Sequence, residues 1–423
     1  MKVVHVLTNF FPQSTGGTEH YVFALCKGLI SLGVDSVIAL PGLDDEHDRQ
    51  VFDLPVFYFN EQLSEKARSY GADLVHFHEV ASGGKISSLH FKQVRNSGLR
   101  IVVSPHVCGN TCFTGSMYKD DTHLCDGIMG RWKCTSCFHQ TKRPGLSTIG
   151  LTLASEMVYQ LGVEIKKRNG RLATVLNSAR QIEQHHHEFR TIVNLSDAVV
   201  GISNWYTDVL KRNFPKAENI WHIPTGKMQH SIRDVKVTHQ KQLSLVFVGR
   251  ITPAKGLHLL LDALSNFSNS LYTLKIIGGV QMCDQAYASR LKATYCSNEN
   301  IEWLGVLNKE QTVRIVAASA LLCLPSIVSE MSPLVIDEAH SVGVLVLASD
   351  VPGSKEKINE GENGYLFRRG DIQNLKAYLK MIFELGIQEK KKVIPVSSKS
   401  FDDTVQSYAE LYRHILNENI DHC

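Results

Sequence analysis

What most constrains this chain is an alternation of short apolar strands with helical stretches, met twice. Residues 2–8 form an apolar, β-branched run suited to a buried strand. Residues 9–17, with Pro12, Gly16 and Gly17, read as a loop. Thr18 is placed to cap the next helix, in which Val22, Leu25, Leu29 and Leu32 recur at helical spacing before Gly33 stops it. Further strands are expected at 35–40, 56–59, 74–77 and 101–104. Residues 141–190 are mostly helical in propensity, and His185, His186 and His187 within them read as a solvated helix face. Strand character returns at 197–202.

The alternation then restarts. Strands are expected at 245–248, 274–277, 302–304, 321–325 and 345–348, with helices at 256–264, 309–318 and 333–342. Between the two series, residues 224–242 are polar and lack periodicity, which marks a linker. Val405, Tyr408, Leu411, Tyr412 and Ile415 define a final amphipathic helix over 402–416. Strands alternating with helices imply parallel βαβ units. The expected fold is therefore α/β, with two doubly wound Rossmann-like domains facing a cleft. Ligands of such sheets sit at the carboxyl ends of the strands.

Composition narrows the partners. At 423 residues the chain is long enough for two or three domains, and 43% hydrophobic with 21% charged residues excludes a chain disordered throughout. Lys+Arg 45 against Asp+Glu 42 leaves a net charge of +3, too little bias for a broad nucleic-acid groove. Basic runs stand at 166–168 and 390–392, where solvated surface is the plain reading. No apolar run approaches the roughly 18–20 residues of a spanning helix, and residues 1–7 are too short for a secretory apolar region. The expected location is cytoplasmic.

Three stretches carry candidate chemistry. Gly16–Gly17 follows the first strand and opens a helix, so the backbone can approach an anionic ligand; a tight turn is the alternative. Arg250, after the first strand of the second half, with Lys255–Gly256 at the next helix, suits a diphosphate. Glu330 lies in a loop after a strand. Ser332 is placed to cap a helix with Pro333 at its first position, and Glu338 lies inside that helix. Free amides at such a helix start can hold a phosphate, and flanking carboxylates can accept hydrogen bonds from sugar hydroxyls.

These motifs resemble the family 4 glycosyltransferases of the GT-B fold over almost the whole chain. The matching residues are GGTE at 16–19, VGRITPAKG at 248–256, Glu330 and Glu338 with seven residues between them, and EGENGYLF at 360–367. The resemblance implies retaining transfer of a sugar, typically a hexose, from a nucleoside-diphosphate donor. Residues 1–225 would bind the acceptor, residues 240–400 the donor, and 401–423 would pack back on the N-terminal domain. Gly16 and Gly17 would meet the donor diphosphate, with Arg250 and Lys255 holding the charge of the leaving group. Glu330 would bind the sugar hydroxyls, Glu338 the ribose, and the backbone of Met331, Ser332, Pro333 and Leu334 the sugar and phosphates. His106 matches the family's His-Asp position, but Val107 replaces the acid that would orient the imidazole. A polar contact to the donor sugar is then the safer role than acid–base catalysis. No catalytic metal is expected, because the cations take its place.

Five cysteines crowd into one stretch, Cys108, Cys112, Cys125, Cys134 and Cys137. A Cys-rich insert (106–140) resembles one found in a subset of the same family. Matched to it, Cys112, Cys125, Cys134 and Cys137 would hold a structural zinc; an iron–sulfur cluster and reduced thiols are the alternatives. The expected product is a polysaccharide, glycolipid or glycoside. A lipid-linked acceptor would agree with peripheral contact at the inner membrane face through residues 166–168. The competing readings are a GT-B nucleotide-sugar epimerase, which lacks this glutamate spacing with EA and NGxLF, and a catalytically dead scaffold.

Overall fold

The structure is a computed structural model that describes residues 1–12, 16–42, 49–80, 85–119, 123–142, 147–165, 170–228, 242–385 and 399–417. The basic runs at 166–168 and 390–392, most of the linker and Cys423 lie outside these residues. The chain forms two compact units, Met1–Pro224 with Thr404–Cys423, and Thr225–Asp403.

The first unit is built on eight strands: β1 (Lys2–Val6), β2 (Asp35–Pro41), β3 (Arg49–Val51), β4 (Leu54–Phe59), β5 (Leu74–Phe77), β6 (Arg100–Val103), and, after a small separate hairpin of β7 (Tyr118–Lys119) and β8 (His123–Leu124), β9 (Ala198–Gly201) and β10 (Ile220–His222). Their order is β10-β9-β6-β5-β1-β2-β4-β3. In this sheet, among the described residues, only the β3–β4 pairing is antiparallel. Val3, Val4, Val6, Ile38, Val75, Ile101 and Val102 are buried, as a sheet covered on both faces demands.

Helix Gly17–Ser31 starts earlier than expected. Gly16 in extended conformation is its N-cap, and His20 N donates to Gly16 O at 3.2 Å, which places Thr18 inside the first turn. Helix Ser178–Leu195 corrects a second expectation. Its buried stripe runs through Ile182, His185, His186, Phe189, Ile192 and Val193 at helical spacing. Two of the three imidazoles fall on that stripe; His187 alone of them is exposed.

Helix Phe401–Asn417 turns Val405, Tyr408, Leu411, Tyr412 and Ile415 inward, each at most 4% exposed. The tyrosine hydroxyls need partners there. Tyr412 OH lies 2.6 Å from His76 Nδ1, Tyr408 OH lies 3.0 Å from Ser104 Oγ, and Ser104 Oγ lies 2.8 Å from His76 Nε2. His76 on β5 thus ties the last helix to the sheet.

The second unit is a six-stranded, wholly parallel sheet of β11 (Leu243–Val248), β12 (Tyr272–Ile277), β13 (Ile301–Gly305), β14 (Leu321–Leu324), β15 (Leu345–Ser349) and β16 (Gly364–Phe367), in the order β13-β12-β11-β14-β15-β16. Leu245, Phe247, Leu260, Leu274, Ile276, Leu321 and Leu347 share one core cluster. Asn308 and Gln311 close a reciprocal capping box on helix Lys309–Ala318.

Tyr412→Phe leaves His76 Nδ1 buried without this partner. The expected cost is about 1–3 kcal/mol, read as a lower urea midpoint for the first unit with the second unit's transition unmoved.

Candidate active site

In the second sheet β11 and β14 are neighbours, and the chain leaves them in opposite directions. Such a reversal of strand order opens a crevice at the carboxyl ends of the strands. Both segments that leave these ends carry candidate residues. After β11 come Gly249, the exposed Arg250 and the short turn Pro253–Lys255. After β14 come Ser326 and Glu330.

The two segments are stitched together. Ile327 N donates to Ala254 O at 2.9 Å. Gly256 has φ +67°, and a Cβ there would stand 1.9 Å from Pro325 O, so both conformation and space require glycine. A Cβ on Gly353 would stand 2.1 Å from Glu330 O. This close backbone packing delivers the Glu330 side chain to the end of β11. Lys255 Nζ donates to Glu330 Oε1 at 2.7 Å, and Ser326 Oγ donates to the same oxygen at 2.5 Å. Burial alone would raise the carboxyl's pKa. The Lys255 ammonium, the Ser326 hydroxyl and the Arg250 charge outweigh it and hold Glu330 below its ordinary value. At neutral pH it is a fixed anion that accepts hydrogen bonds.

Helix Leu334–Ser341 begins one residue later than expected. Pro333 is its N-cap with extended ψ, so Ser332 stands outside the capping position and its hydroxyl lies 2.7 Å from Thr225 Oγ1 instead. Met331 is buried. Glu338 is 6% exposed and accepts from Lys309 Nζ, while its neighbour Asp337 accepts from Lys357 Nζ. Burial raises the Asp337 carboxyl, with Lys357 opposing. Ser326, Gly353, Lys309 and Lys357 were not candidates on sequence. Gly353, Lys309 and Lys357 take their places by pairing between distant segments, whereas Ser326 reaches Glu330 from four residues away in the same loop.

The remaining candidates belong to the first unit. Gly16 and Gly17 open helix Gly17–Ser31 beside the buried Glu19 of its first turn. His106 follows β6, is partly exposed, and lies 5.0 Å ring to ring from Tyr21. Burial pushes its pKa down to about 3, so it is neutral at physiological pH.

Cys112, Cys125, Cys134 and Cys137 line one small cavity of about 20 Å³ beside Thr114 and Lys133. Gly127 N donates to Cys125 Sγ at 3.5 Å, and burial raises the Cys134 thiol to about 11, with Cys112 and Cys125 close enough to add to the rise. Arg131, which donates to Glu156 at 2.9 Å and lies over the Tyr159 ring, fastens helix Arg131–Lys142 to helix Thr148–Gln160. The four thiols share the cavity without closing to ligand separation. Among the described residues, the grouped ligand atoms within 4.8 Å of one another are those of His5, His76 and His78.

Residues 228–395 match the family described as Glycosyl transferases group 1. Two similar proteins are D-inositol 3-phosphate glycosyltransferase of Corynebacterium urealyticum, 26% identical over 40% of this chain and 42% of that protein, and amylovoran biosynthesis glycosyltransferase AmsK of Erwinia amylovora, 25% identical over 55% of this chain and 59% of that protein. The chain spans about half the length of the curated relatives it matches. Similar solved structures include Anabaena HepE in complex with UDP and glucose, with TM-score 0.61 and 15% identity over 98% of this chain and 100% of that one. Another is sucrose-phosphate synthase from Thermosynechococcus elongatus, with TM-score 0.63 and 15% identity over 99% of each chain. The chain therefore has the GT-B fold of these solved structures, and residues 228–395 within it match the group 1 glycosyl transferase family.

Lys255→Met removes the charge that keeps Glu330 ionised out of water. The expected loss is on the order of 3 kcal/mol at pH 7. In the variant the Glu330 pKa rises, so acid protonates the carboxyl and relieves the cost, whereas the wild-type carboxylate stays ionised to lower pH. The gap in thermal midpoint between the two proteins should therefore be wider at pH 7 than at pH 4.

Proposed function

We propose that the protein is a retaining glycosyltransferase. It transfers a sugar, of hexose type, from a nucleoside-diphosphate donor to a hydroxyl of a glycan, glycolipid or other glycoside. The observation that carries this is the charge cluster at the β11/β14 crevice, where Arg250 and Lys255 stand beside the ionised Glu330. The family match over 228–395 and relatives named as glycosyltransferases support it. So do fold neighbours captured with UDP and with UDP and glucose.

Departure of a nucleoside diphosphate builds negative charge on a phosphate oxygen. Arg250 and Lys255 stabilise that charge in place of a metal ion, and the start of helix Leu334–Ser341 adds its dipole. Glu330 accepts hydrogen bonds from hydroxyls of the transferred sugar, and Glu338 from the ribose. Met331 to Leu334 supply backbone contacts to the sugar and phosphates. In the first unit, His106 is the candidate for a polar contact to a sugar. No candidate carboxylate is assigned as a covalent nucleophile, so the two-carboxylate scheme of glycosidases is not invoked.

Arg250→Ala and Glu330→Ala should each lose most of the activity, measured as released nucleoside diphosphate, while circular dichroism stays unchanged. Wild-type turnover in either purified variant refutes the site. A nucleoside diphosphate should raise the thermal midpoint of the wild type and oligonucleotides should not.

Cys112, Cys125, Cys134 and Cys137 form a donor set that suits a structural zinc, with Cys108 outside it. Elemental analysis of the purified protein should find about one zinc per chain; iron in its place indicates a cluster, and neither metal removes the assignment.

A further inference from the structure

Strand register gathers four histidines inside the first unit. His5 on β1 stands opposite His76 on β5. His78 follows at the two-residue period that keeps side chains on one face. His106 continues beyond β6, the other neighbour of β5. His5, His76 and His78 have no solvent exposure, whereas His106 is partly exposed.

His76 spends both ring nitrogens on Tyr412 and Ser104. The other three form a line. His5 Nδ1 lies 3.0 Å from His78 Nε2, and His78 Nδ1 lies 3.3 Å from His106 Nε2. Burial lowers the pKa of His5 and of His106 to about 3, and that of His78 well below its ordinary value, so all three are neutral.

A neutral imidazole has one donor and one acceptor nitrogen. The line can therefore be hydrogen-bonded in only two ways. With protons on every Nδ1, His5 donates to His78 and His78 donates to His106. With protons on every Nε2, each bond is reversed. The choice falls on the inner end of the line. His5 Nε2 is buried and has no partner among the described residues. In the first arrangement it is a bare lone pair; in the second it is an orphaned N–H, the rarer defect in protein interiors.

We propose that His78, itself held by His5, fixes the tautomer of His106, so that Nε2 is committed as an acceptor and Nδ1 carries the proton. His106 then offers a sugar oxygen a neutral hydrogen-bond donor at Nδ1, and not a proton acceptor. This rests on the reading of His106 as a site residue. His5 and His78 are positioning residues. They orient an imidazole whose neighbour in sequence is Val107 and not an acid.

The test is nuclear magnetic resonance of the full chain labelled in its histidine rings, with signals assigned through His106→Gln, His78→Asn and His5→Gln. The wild type should show Nδ1–H tautomers at His5, His78 and His106. His78→Phe should release His106 to a mixture or to Nε2–H, and lower kcat about tenfold with donor KM within about twofold. His78→Asn, whose amide NH2 can replace the lost donor, should restore the tautomer and most of kcat. An Nε2–H His106 in the wild type overturns the proposal, as does an unchanged His106 tautomer in folded His78→Phe. Nitrogen shifts showing a metal bound to His5, His76 and His78 also overturn it. The wild-type spectrum decides even where His78→Phe does not fold. Wild-type turnover in His106→Gln removes His106 from the site and leaves the tautomer result standing.

Discussion

In the second unit one contact governs the others: the ammonium of Lys255 against the carboxylate of Glu330. A carboxylate withdrawn from water would take up a proton unless positive charge and hydrogen bonds hold the anion. Lys255 and Ser326 both point at the same oxygen, which leaves the other lone pairs of the carboxylate for a ligand. The contact joins the segment after β11 to the segment after β14. It therefore sets where those loops run and where Arg250 emerges. The glycine at 256 removes the atoms that would hold these two backbones apart, and the glycine at 353 lets the segment after β15 close on the backbone of Glu330.

The first unit solves a different problem, that of keeping polar side chains inside an apolar sheet. His76, Ser104, Tyr408 and Tyr412 satisfy one another across β5, the end of β6 and the last helix. In a medium of low polarity such a network rewards one arrangement and penalises all others. It fixes the rotation of the last helix about its own axis, which apolar packing alone specifies less sharply.

Much of the fold was legible because parallel strands buried on both faces announce themselves as short apolar runs. The expected strands at 74–77 and 245–248 and the helix at 309–318 lie within one or two residues of those observed. Local chemistry was less faithful at helix starts, where Thr18 and Ser332 were expected to cap and Gly16 and Pro333 do. Cap preference describes an isolated helix, whereas here the entering loop sets the starting residue. In the His185–His187 run, helical periodicity and not polarity decides which imidazoles are buried. In the site, Arg250, Lys255, Glu330 and Glu338 could be singled out by their positions after strands. The His5–His78–His106 line could not be, because only strand register brings those residues together; Ser326 is set by the turn of its own loop onto Glu330.

The chain leaves its first unit at Pro224 and returns to it at Thr404. The second unit is therefore an insertion between the sheet of the first and the helix that completes that sheet's core. On a ribosome the sheet emerges before the second unit, but Tyr408 and Tyr412 emerge only after it. Throughout synthesis of the intervening segment, His76 and the apolar surface meant for Val405 and Leu411 must wait uncovered. The second unit has all its strands in one continuous stretch and can fold before the first is finished. Order of completion thus runs opposite to order in the chain, and the half-made first unit is the stage most exposed to chaperones and proteases.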